Sequence, residues 1–265
     1  MTRRRSSAAV RLFVSDLDGT VLPLAGGDGV RRFAAWWDSL TPATRPLLCY
    51  NSGRLCGDVR AVVRAVGLPA PDYVIGGVGT SLTDAAGHQL PGFLERFANG
   101  WERSRVQEIM AGVRGIEPHP ERFQSPYKSS WSLLDADPAR ITAIVAALAS
   151  ADLRVRVIYS SDRDLDVLPA DAGKGHAVEW LRRKTRVAAR NVVVAGDTEN
   201  DLAMFELPDV RGIAVANARP GLLAGLSTCD VYRAAATEAD GVIEGLECFG
   251  LRPPPARPPD LKRHP

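Results

Sequence analysis

The chain has 265 residues, 45% of them hydrophobic, and a formal net charge of +2. This length suffices for one large soluble domain or two smaller ones, and so small a charge gives no electrostatic reason to expect nucleic acid or a membrane surface as a partner. No apolar run approaches the roughly 18 residues that span a bilayer, and the four cysteines form no C-x-x-C pair that would indicate zinc or a disulfide framework. We therefore expect a soluble, cytoplasmic protein with reduced cysteines.

Most of the chain alternates between two kinds of segment. Short apolar runs without period-2 alternation are typical of strands buried on both faces of a parallel sheet, and the segments between them have helical spacing. This alternation predicts a doubly wound, Rossmann-like α/β fold, whose active sites lie at the carboxyl ends of the strands. The predicted strands are 12–15, 47–50, 73–75, 192–195 and 213–215, and the predicted helices are 30–40, 58–66, 175–183 and 201–207.

Residues 84–169 follow a different pattern, which predicts an inserted α+β domain. A helix is expected at 101–113 and another at 137–150, where Asp137 is a suitable N-cap and Pro138 occupies the first helical position. The stretch "YKSSWSLL" alternates like a strand with one exposed face, and "LRVRVIYS" and "DLDVLP" predict two more strands.

The rest of the chain divides into the predicted core and two loose ends. The core comprises residues 11–83 and 170–250, on either side of the insertion. We expect disorder in residues 1–10 and in the Pro-rich tail, residues 251–265.

Two carboxylates follow the first predicted strand, in "LFVSDLDGTVLP". Asp16 and Asp18 are two residues apart, so their side chains point the same way if the strand continues that far. Carboxylates this close repel each other, and one would be protonated unless a cation lies between them. A solvated Asp-Gly turn is the alternative interpretation.

Three further polar clusters follow other apolar runs or begin a helix. Ser52 lies in "LLCYNSGR", Lys174 in "AGKG", and Asp197 and Asp201 in "VVVAGDTENDLAMF". Ordinary capping could explain the serine and the two aspartates, because both residue types are common in a first helical turn. Lys174 is one of only four lysines among 33 basic residues, which favours a functional role over a surface role.

The stretch "DLDGT" resembles the D-x-D-G-T signature of the haloacid dehalogenase (HAD) superfamily, and the other clusters follow in that superfamily's order. Asp16 and Ser52 are 36 residues apart, and Ser52 and Lys174 are 122 apart. The second interval holds the insertion, which resembles the C2 cap of the Cof-like IIB class. The resemblance therefore implies a HAD core with a C2-type cap. The aspartate at position 18 favours a phosphatase or phosphomutase over a P-type ATPase, and the cap position argues against a mutase.

Strings along residues 11–250 are also similar to the sucrose-phosphate phosphatase family. They include "DYVIGGVGTSL", "QSPYKSSW", "VIYSSDRDLDVLPADAGKG" and "ATEADGVIEGLECFG". Two departures concern the second and last motifs, where Ser52 stands for the more usual threonine and Thr198-Glu199 replaces the common Ser-Gly. Neither removes a chemical group, but both leave the identity of the substrate open.

The resemblance implies a role for each core residue in Mg²⁺-dependent phosphoryl transfer. Asp16 would be the nucleophile that forms an aspartyl-phosphate, and Asp18 the general acid and base. Mg²⁺ would be held by Asp16, the backbone carbonyl of Asp18, and Asp197, with Asp201 in or beside the ligand set. The phosphate would be bound by Asn51, Ser52, Gly53 and Lys174.

The resemblance implies a disaccharide phosphate as substrate, with sucrose 6-phosphate first. Mannosylfructose phosphate, trehalose 6-phosphate and an aminocyclitol pseudo-disaccharide phosphate are alternatives within enzymes, and a cognate glycosyltransferase or synthase is a possible partner. The non-enzymatic alternative is a pseudo-phosphatase that binds a sugar phosphate, although no catalytic position is lost.

The cap is expected to recognise the sugar. Candidate substrate residues are Lys128, Arg163 and Asp164 in the cap, Thr80 near the hinge, and Asn200 in the last motif. Asp166 could instead hold a loop in place, and Trp131 is assigned to the cap core in preference to stacking on a sugar ring.

Overall fold

The structure, a computed structural model, describes residues 8–226 and 229–254. In these two ranges the chain forms a seven-stranded sheet and a four-stranded sheet. The strands are β1 (Leu12–Ser15), β2 (Leu47–Asn51), β3 (Tyr73–Gly76), β4 (Ser81–Asp84), β5 (Glu117–Pro118), β6 (Ser129–Ser132), β7 (Val155–Ser160), β8 (Asp164–Pro169), β9 (Val192–Gly196), β10 (Arg211–Ala214) and β11 (Val231–Arg233). The α-helices are α1 (Gly29–Asp38), α2 (Cys56–Val66), α3 (Arg103–Ala111), α4 (Pro138–Ala149), α5 (Lys174–Lys184), α6 (Leu202–Phe205), α7 (Pro220–Gly225) and α8 (Glu238–Cys248).

The larger sheet has the strand order β11-β10-β9-β1-β2-β3-β4. β1 pairs in parallel with β2 on one side and with β9 on the other, and β4 runs antiparallel to β3 at the edge. The strand order changes direction beside β1, and ligands of such sheets bind where this happens, at the carboxyl ends of the strands. The predicted doubly wound α/β fold is confirmed.

Both faces of this sheet are covered by helices, which explains the unbroken apolar runs. Phe13 of β1 packs in one cluster with Phe33 and Trp37 of α1, whereas its neighbour Val14 packs on the other face with Val178 of α5. Helices α2 and α8 also supply the first cluster, and α6 and α7 the second. Every residue of β1 is buried, so the strand that leads into the first aspartates is held on all sides.

The smaller sheet, with order β5-β6-β8-β7, is antiparallel throughout and forms the cap. Helices α3 and α4 pack on it around an apolar cluster that includes Trp131, which is 4% exposed. The predicted N-cap of helix α4 is present: the Asp137 side chain accepts a hydrogen bond of 2.7 Å from the Arg140 N–H, and Pro138 begins the helix. Trp131 is therefore a core residue of the cap.

The segment between β4 and α3 packs on the core. Phe93 and Phe97 are buried in the cluster that contains α5, and the ring of Phe93 meets that of Trp180 edge-on at 5.2 Å. The chain returns from the cap through β8 directly into α5. Gly79, at φ +86°, lies against this return, where a Cβ atom would come within 2.3 Å of the Gly173 carbonyl oxygen. The two connections between cap and core therefore touch.

The ordered core extends slightly beyond the predicted boundaries. Val10 and Leu251 are both 5% exposed and pack in the cluster beneath α1 and α8. The remainder of the predicted disordered ends, residues 1–7 and 255–265, lies outside the described residues. Of the helices that are described, none has the length and apolarity needed to cross a membrane.

Candidate active site

The first two aspartates lie at the carboxyl end of β1, next to β9. The Asp16 N–H donates a 2.9 Å hydrogen bond to the Ala195 carbonyl, and Asp16 is only 5% exposed. Asp18 lies in the turn beyond, with its side chain 35% exposed. Gly19 shapes this turn: its φ is +81°, and a Cβ atom there would lie 2.4 Å from the Asp197 Oδ2 atom. Glycine thus lets the two acidic loops approach each other.

The second acidic pair follows β9 and faces the first. The Asp201 Oδ2 atom accepts hydrogen bonds from the backbone N–H groups of Asp197, at 3.0 Å, and Thr198, at 3.2 Å. Capping is therefore one role of Asp201, as its position in a first turn suggested. The Thr20 hydroxyl lies 3.3 Å from Asp16 Oδ2 and 3.2 Å from Asp197 Oδ1, so it links the two acidic loops.

Lys174 begins α5 and lies within this acidic cluster. Its Nζ atom is 2.6 Å from Asp16 Oδ1 and 2.6 Å from Asp201 Oδ1, and the residue is 1% exposed. Burial alone would lower the pKa of Lys174, but the charges of Asp16 and Asp201 outweigh it and raise the pKa. The ammonium is therefore a fixed positive charge beside the first aspartate.

One ammonium does not balance the three carboxylates. Asp16, Asp197 and Asp201 are all buried, and each offers a carboxylate oxygen within 4.8 Å of the others. Burial, and then the charges of Asp201 and Asp197, raise the pKa of Asp16 well above its usual value, although Lys174 acts against this. Burial and the charge of Asp201 raise the pKa of Asp197 to about 6. Both shifts reflect an excess of buried negative charge that a bound cation would relieve.

The loop after β2 lies beside this cluster. Ser52 is 1% exposed, and its hydroxyl oxygen accepts a 3.1 Å hydrogen bond from the Arg54 N–H. Asn51 is fully buried, and its Nδ2 atom donates to the Lys174 carbonyl at 3.2 Å. The side chain of Asn51 therefore holds the start of α5 in place, and its Oδ1 atom has no hydrogen-bond partner among the described residues.

Arg54 is a residue of the candidate site that was not among the candidates from the sequence. Its Nε atom lies 2.8 Å from Asp18 Oδ2 and its Nη2 atom 2.6 Å from Asp18 Oδ1, so the two residues form a bidentate ion pair. The only sequence signal for Arg54 was its place in the motif "NSGR". No sequence pattern links it to Asp18, which lies 36 positions earlier on a different loop.

Of the candidate cap residues, Lys128 reaches the core. Its Nζ atom lies 3.2 Å from the Gly53 carbonyl oxygen and 3.3 Å from Asp166 Oδ1, and the residue is 6% exposed. Asp166 also accepts a 2.5 Å hydrogen bond from the Ser130 hydroxyl. Asp166 therefore supports Lys128, whereas the structural role left open from the sequence was to hold a loop in place.

The other four candidates have local partners. Arg163 and Asp164 pair with each other at 3.0 Å, and Arg163 is exposed. The Thr80 hydroxyl is buried and donates to the Gly77 carbonyl at 2.9 Å, within the hinge. Asn200 Oδ1 accepts a 3.1 Å hydrogen bond from the Thr198 hydroxyl, in the turn that carries Asp201.

A family model and several known proteins match the chain. The model described as Sucrose-6F-phosphate phosphohydrolase matches residues 9–250. The chain is 45% identical over 247 residues to mannosylfructose-phosphate phosphatase of Agrobacterium fabrum, with 92% of this chain and 98% of that protein covered. It is 31% identical to sucrose-phosphatase 1 of Nicotiana tabacum, with 94% of this chain but only 61% of the longer tobacco protein covered.

Solved structures share the fold of the chain. Sucrose-phosphatase from Synechocystis, in complex with sucrose and phosphate, matches with a TM-score of 0.83 and 28% identity, and 91% of this chain and 98% of that chain are covered. A HAD subclass IIB sugar phosphatase shares the fold, with a TM-score of 0.67, 12% identity and coverage of 91% of this chain and 100% of the other. The chain therefore belongs to the sucrose-6F-phosphate phosphohydrolase family, within the HAD superfamily of hydrolases.

Proposed function

We propose that the chain is a Mg²⁺-dependent phosphatase of a fructose-containing disaccharide phosphate. The observation that carries the chemistry is the buried cluster in which Lys174 contacts both Asp16 and Asp201. Mannosylfructose phosphate becomes the first candidate substrate, because the 45% identity to its phosphatase extends over 98% of that protein. Sucrose 6-phosphate, which the sequence alone placed first, is the second candidate.

The residues present suit Mg²⁺, which prefers oxygen ligands. The buried carboxylates of Asp16 and Asp197, with the backbone carbonyl of Asp18, would hold the ion. Both oxygens of Asp201 already have partners, Lys174 on one side and two backbone N–H groups on the other, which suits it to support the ligands. When bound, Mg²⁺ would offset the charge on the carboxylates and on the phosphate oxygens.

The chain's own groups account for both halves of the reaction. Asp16 attacks phosphorus, the bond between phosphorus and the sugar oxygen breaks, and that oxygen takes a proton from Asp18. Asp18, now a carboxylate, then removes a proton from the water that hydrolyses the aspartyl-phosphate. Lys174 and Ser52 position the phosphate oxygens and oppose their charge, which is the main demand of phosphoryl transfer.

The cap supplies the groups that would bind the sugar. Lys128 is the leading candidate, because it extends from the cap to the loop that contains Ser52 and Gly53. We propose the same role for Arg163 and Asp164, whose mutual ion pair would be exchanged for bonds to sugar hydroxyls. Thr80 and Asn200 are proposed as minor contacts, since both now bond within their own loops.

We propose that the reaction takes place in the cytoplasm, where a glycosyltransferase would supply the disaccharide phosphate. The four cysteines form no C-x-x-C pair that would indicate a disulfide framework, which agrees with a reducing compartment. Co-purification with the glycosyltransferase would test whether the two enzymes form a complex.

A panel of phosphomonoesters tests the proposal. Phosphate release should be measured from mannosylfructose phosphate, sucrose 6-phosphate, trehalose 6-phosphate and glucose 6-phosphate, with Mg²⁺ and with EDTA. We expect turnover of the fructosides with Mg²⁺ only, and none by Asp16→Asn. Turnover of glucose 6-phosphate at the same rate as the disaccharide phosphates would refute the disaccharide assignment but not the phosphatase chemistry. Absence of turnover on all four would favour the sugar-phosphate-binding pseudo-phosphatase.

A further inference from the structure

The ion pair between Arg54 and Asp18 joins two loops at the catalytic edge of the sheet. Both oxygens of Asp18 are engaged, one by Nε at 2.8 Å and the other by Nη2 at 2.6 Å. The planar guanidinium in this geometry sets both the position and the plane of the carboxylate, which a single hydrogen bond would not do.

The backbone of Arg54 is itself held on two sides. Its N–H donates to the Ser52 hydroxyl at 3.1 Å, in the loop proposed to bind phosphate. Its carbonyl accepts a 2.8 Å hydrogen bond from the Gly77 N–H, in the hinge between β3 and β4. An arginine anchored in this way has less freedom than one on an open surface, so the carboxylate that it binds is restrained as well.

The chain also contains an ion pair of the same geometry between two residues that have no proposed role in the reaction. Arg32 of α1 binds Asp240 of α8. Its Nε atom lies 2.7 Å from Asp240 Oδ1 and its Nη2 atom 2.5 Å from Asp240 Oδ2. Side-chain exposure is similar in the two pairs, 43% and 35% for Arg54 and Asp18 against 55% and 38% for Arg32 and Asp240. The second pair connects two helices and contains no proposed catalytic residue, which makes it a matched control.

We propose that Arg54 is a positioning residue that holds the Asp18 carboxyl in line with the leaving-group oxygen and, afterwards, with the attacking water. This inference rests on the proposed function. In the first half-reaction the Asp16 oxygen bonds to phosphorus, the bond between phosphorus and the sugar oxygen breaks, and its electron pair takes the proton of Asp18. In the second, Asp18 takes a proton from water as the water oxygen bonds to phosphorus and Asp16 is released. The ion pair in the structure involves the ionised form of Asp18, which is the form that takes a proton from water in the second half-reaction.

A substrate whose leaving group needs no proton separates positioning from structure. The p-nitrophenolate ion leaves unprotonated, so the first half-reaction with p-nitrophenyl phosphate does not use Asp18. Hydrolysis of the aspartyl-phosphate uses it with every substrate. Loss of Arg54 should therefore slow both halves with a sugar phosphate but only the second half with p-nitrophenyl phosphate.

The experiment compares Arg54→Met, Arg54→Lys and Arg32→Met with the wild type in Mg²⁺, using stopped-flow and steady-state assays. For Arg54→Met we expect a burst of one p-nitrophenolate per enzyme, with a burst rate within threefold of the wild type. Steady-state kcat on p-nitrophenyl phosphate and on mannosylfructose phosphate should fall about 10- to 100-fold, as expected for a misplaced acid-base group. Arg54→Lys should lie between, because it keeps the charge without the planar fork, and Arg32→Met should change neither rate.

Two results would overturn the inference. One is a burst rate that falls as far as the steady-state rate, which would indicate a general structural role. The other is an unchanged kcat with an altered KM, which would make Arg54 a substrate-binding group. If Arg54→Met does not fold, the same two rates of Arg54→Lys decide the question. Failure of the proposed function would appear separately, as a wild-type enzyme that turns over none of these phosphomonoesters.

Discussion

Replacing Asp197 with asparagine is expected to stabilise the metal-free protein at pH 7.5 while abolishing its activity. The carboxylate of Asp197 is buried close to Asp201 and Asp16, and Lys174 offsets only part of the charge. Asparagine has nearly the same shape, and its carbonyl oxygen can still accept the hydrogen bond that Thr20 donates at 3.2 Å. The substitution therefore removes a buried charge and leaves the packing unchanged.

The size of the effect follows from the pKa of Asp197, which burial and Asp201 raise from 3.8 to about 6. A group whose pKa is raised on folding contributes stability below its unfolded pKa, and that contribution is lost as the pH rises through the folded pKa. Above pH 6 the metal-free wild type has lost about 3 kcal/mol, at about 1.4 kcal/mol for each pKa unit. Asparagine avoids this loss, so the Tm should rise by about 5 °C, because the entropy of unfolding of a 265-residue chain is about 0.56 kcal/mol/K.

Thermal unfolding in EDTA at pH 5 and pH 7.5 provides the measurement. The stabilisation should be larger at pH 7.5, and Mg²⁺ should raise the Tm of the wild type but not of Asp197→Asn. Asp240→Asn is the control, because the hydrogen bond from Arg32 lowers the pKa of Asp240 and its neutral replacement should bring no gain. An Asp197→Asn protein that is less stable than the wild type in EDTA at pH 7.5, or equally shifted at both pH values, would refute the reasoning.

Three further substitutions test the geometry of the site. Gly19→Ala should lower both kcat and Tm more than the control Gly26→Ala does. Both glycines have positive φ, but only a Cβ atom at position 19 meets another atom, Asp197 Oδ2 at 2.4 Å. Lys174→Met should abolish phosphate release and lower the free energy of unfolding in EDTA by about 3–5 kcal/mol, because it leaves buried carboxylates unpaired; retained stability would contradict this. Lys128→Met should lower kcat/KM for the disaccharide phosphate about tenfold or more, and an equal fall on glucose 6-phosphate would argue against a role in disaccharide recognition.

The strand pattern predicted the core strands, because strands buried on both faces must be apolar throughout, so 12–15 and 192–195 stood out. The resemblance to the HAD superfamily, and not the strand pattern, brought Asp16 and Asp197 into one proposed metal site. β1 and β9, which precede these two residues, are indeed adjacent. The chemical roles of these residues stay predictions.

The helix α8 shows where the pattern failed. Gly241 and Gly245 weaken its helix propensity, so the segment was not predicted as a helix. Tertiary packing requires these glycines: a Cβ atom would come within 2.6 Å of Ile213 at position 245 and within 2.3 Å of the Ala236 carbonyl oxygen at position 241. The Arg54–Asp18 ion pair could not be predicted from the sequence either, because only the folded chain brings these two residues together.

The loop after β2 connects three parts of the proposed site. The Ser52 hydroxyl lies at the proposed phosphate site, the Gly53 carbonyl accepts a hydrogen bond from Lys128 of the cap, and the Arg54 guanidinium binds Asp18. Because these residues are consecutive, a displacement of one moves the groups on either side. We expect the placement of Lys128 over the core to be coupled to the orientation of Asp18, the proposed acid-base group, so cap substitutions at Lys128 should affect kcat as well as KM.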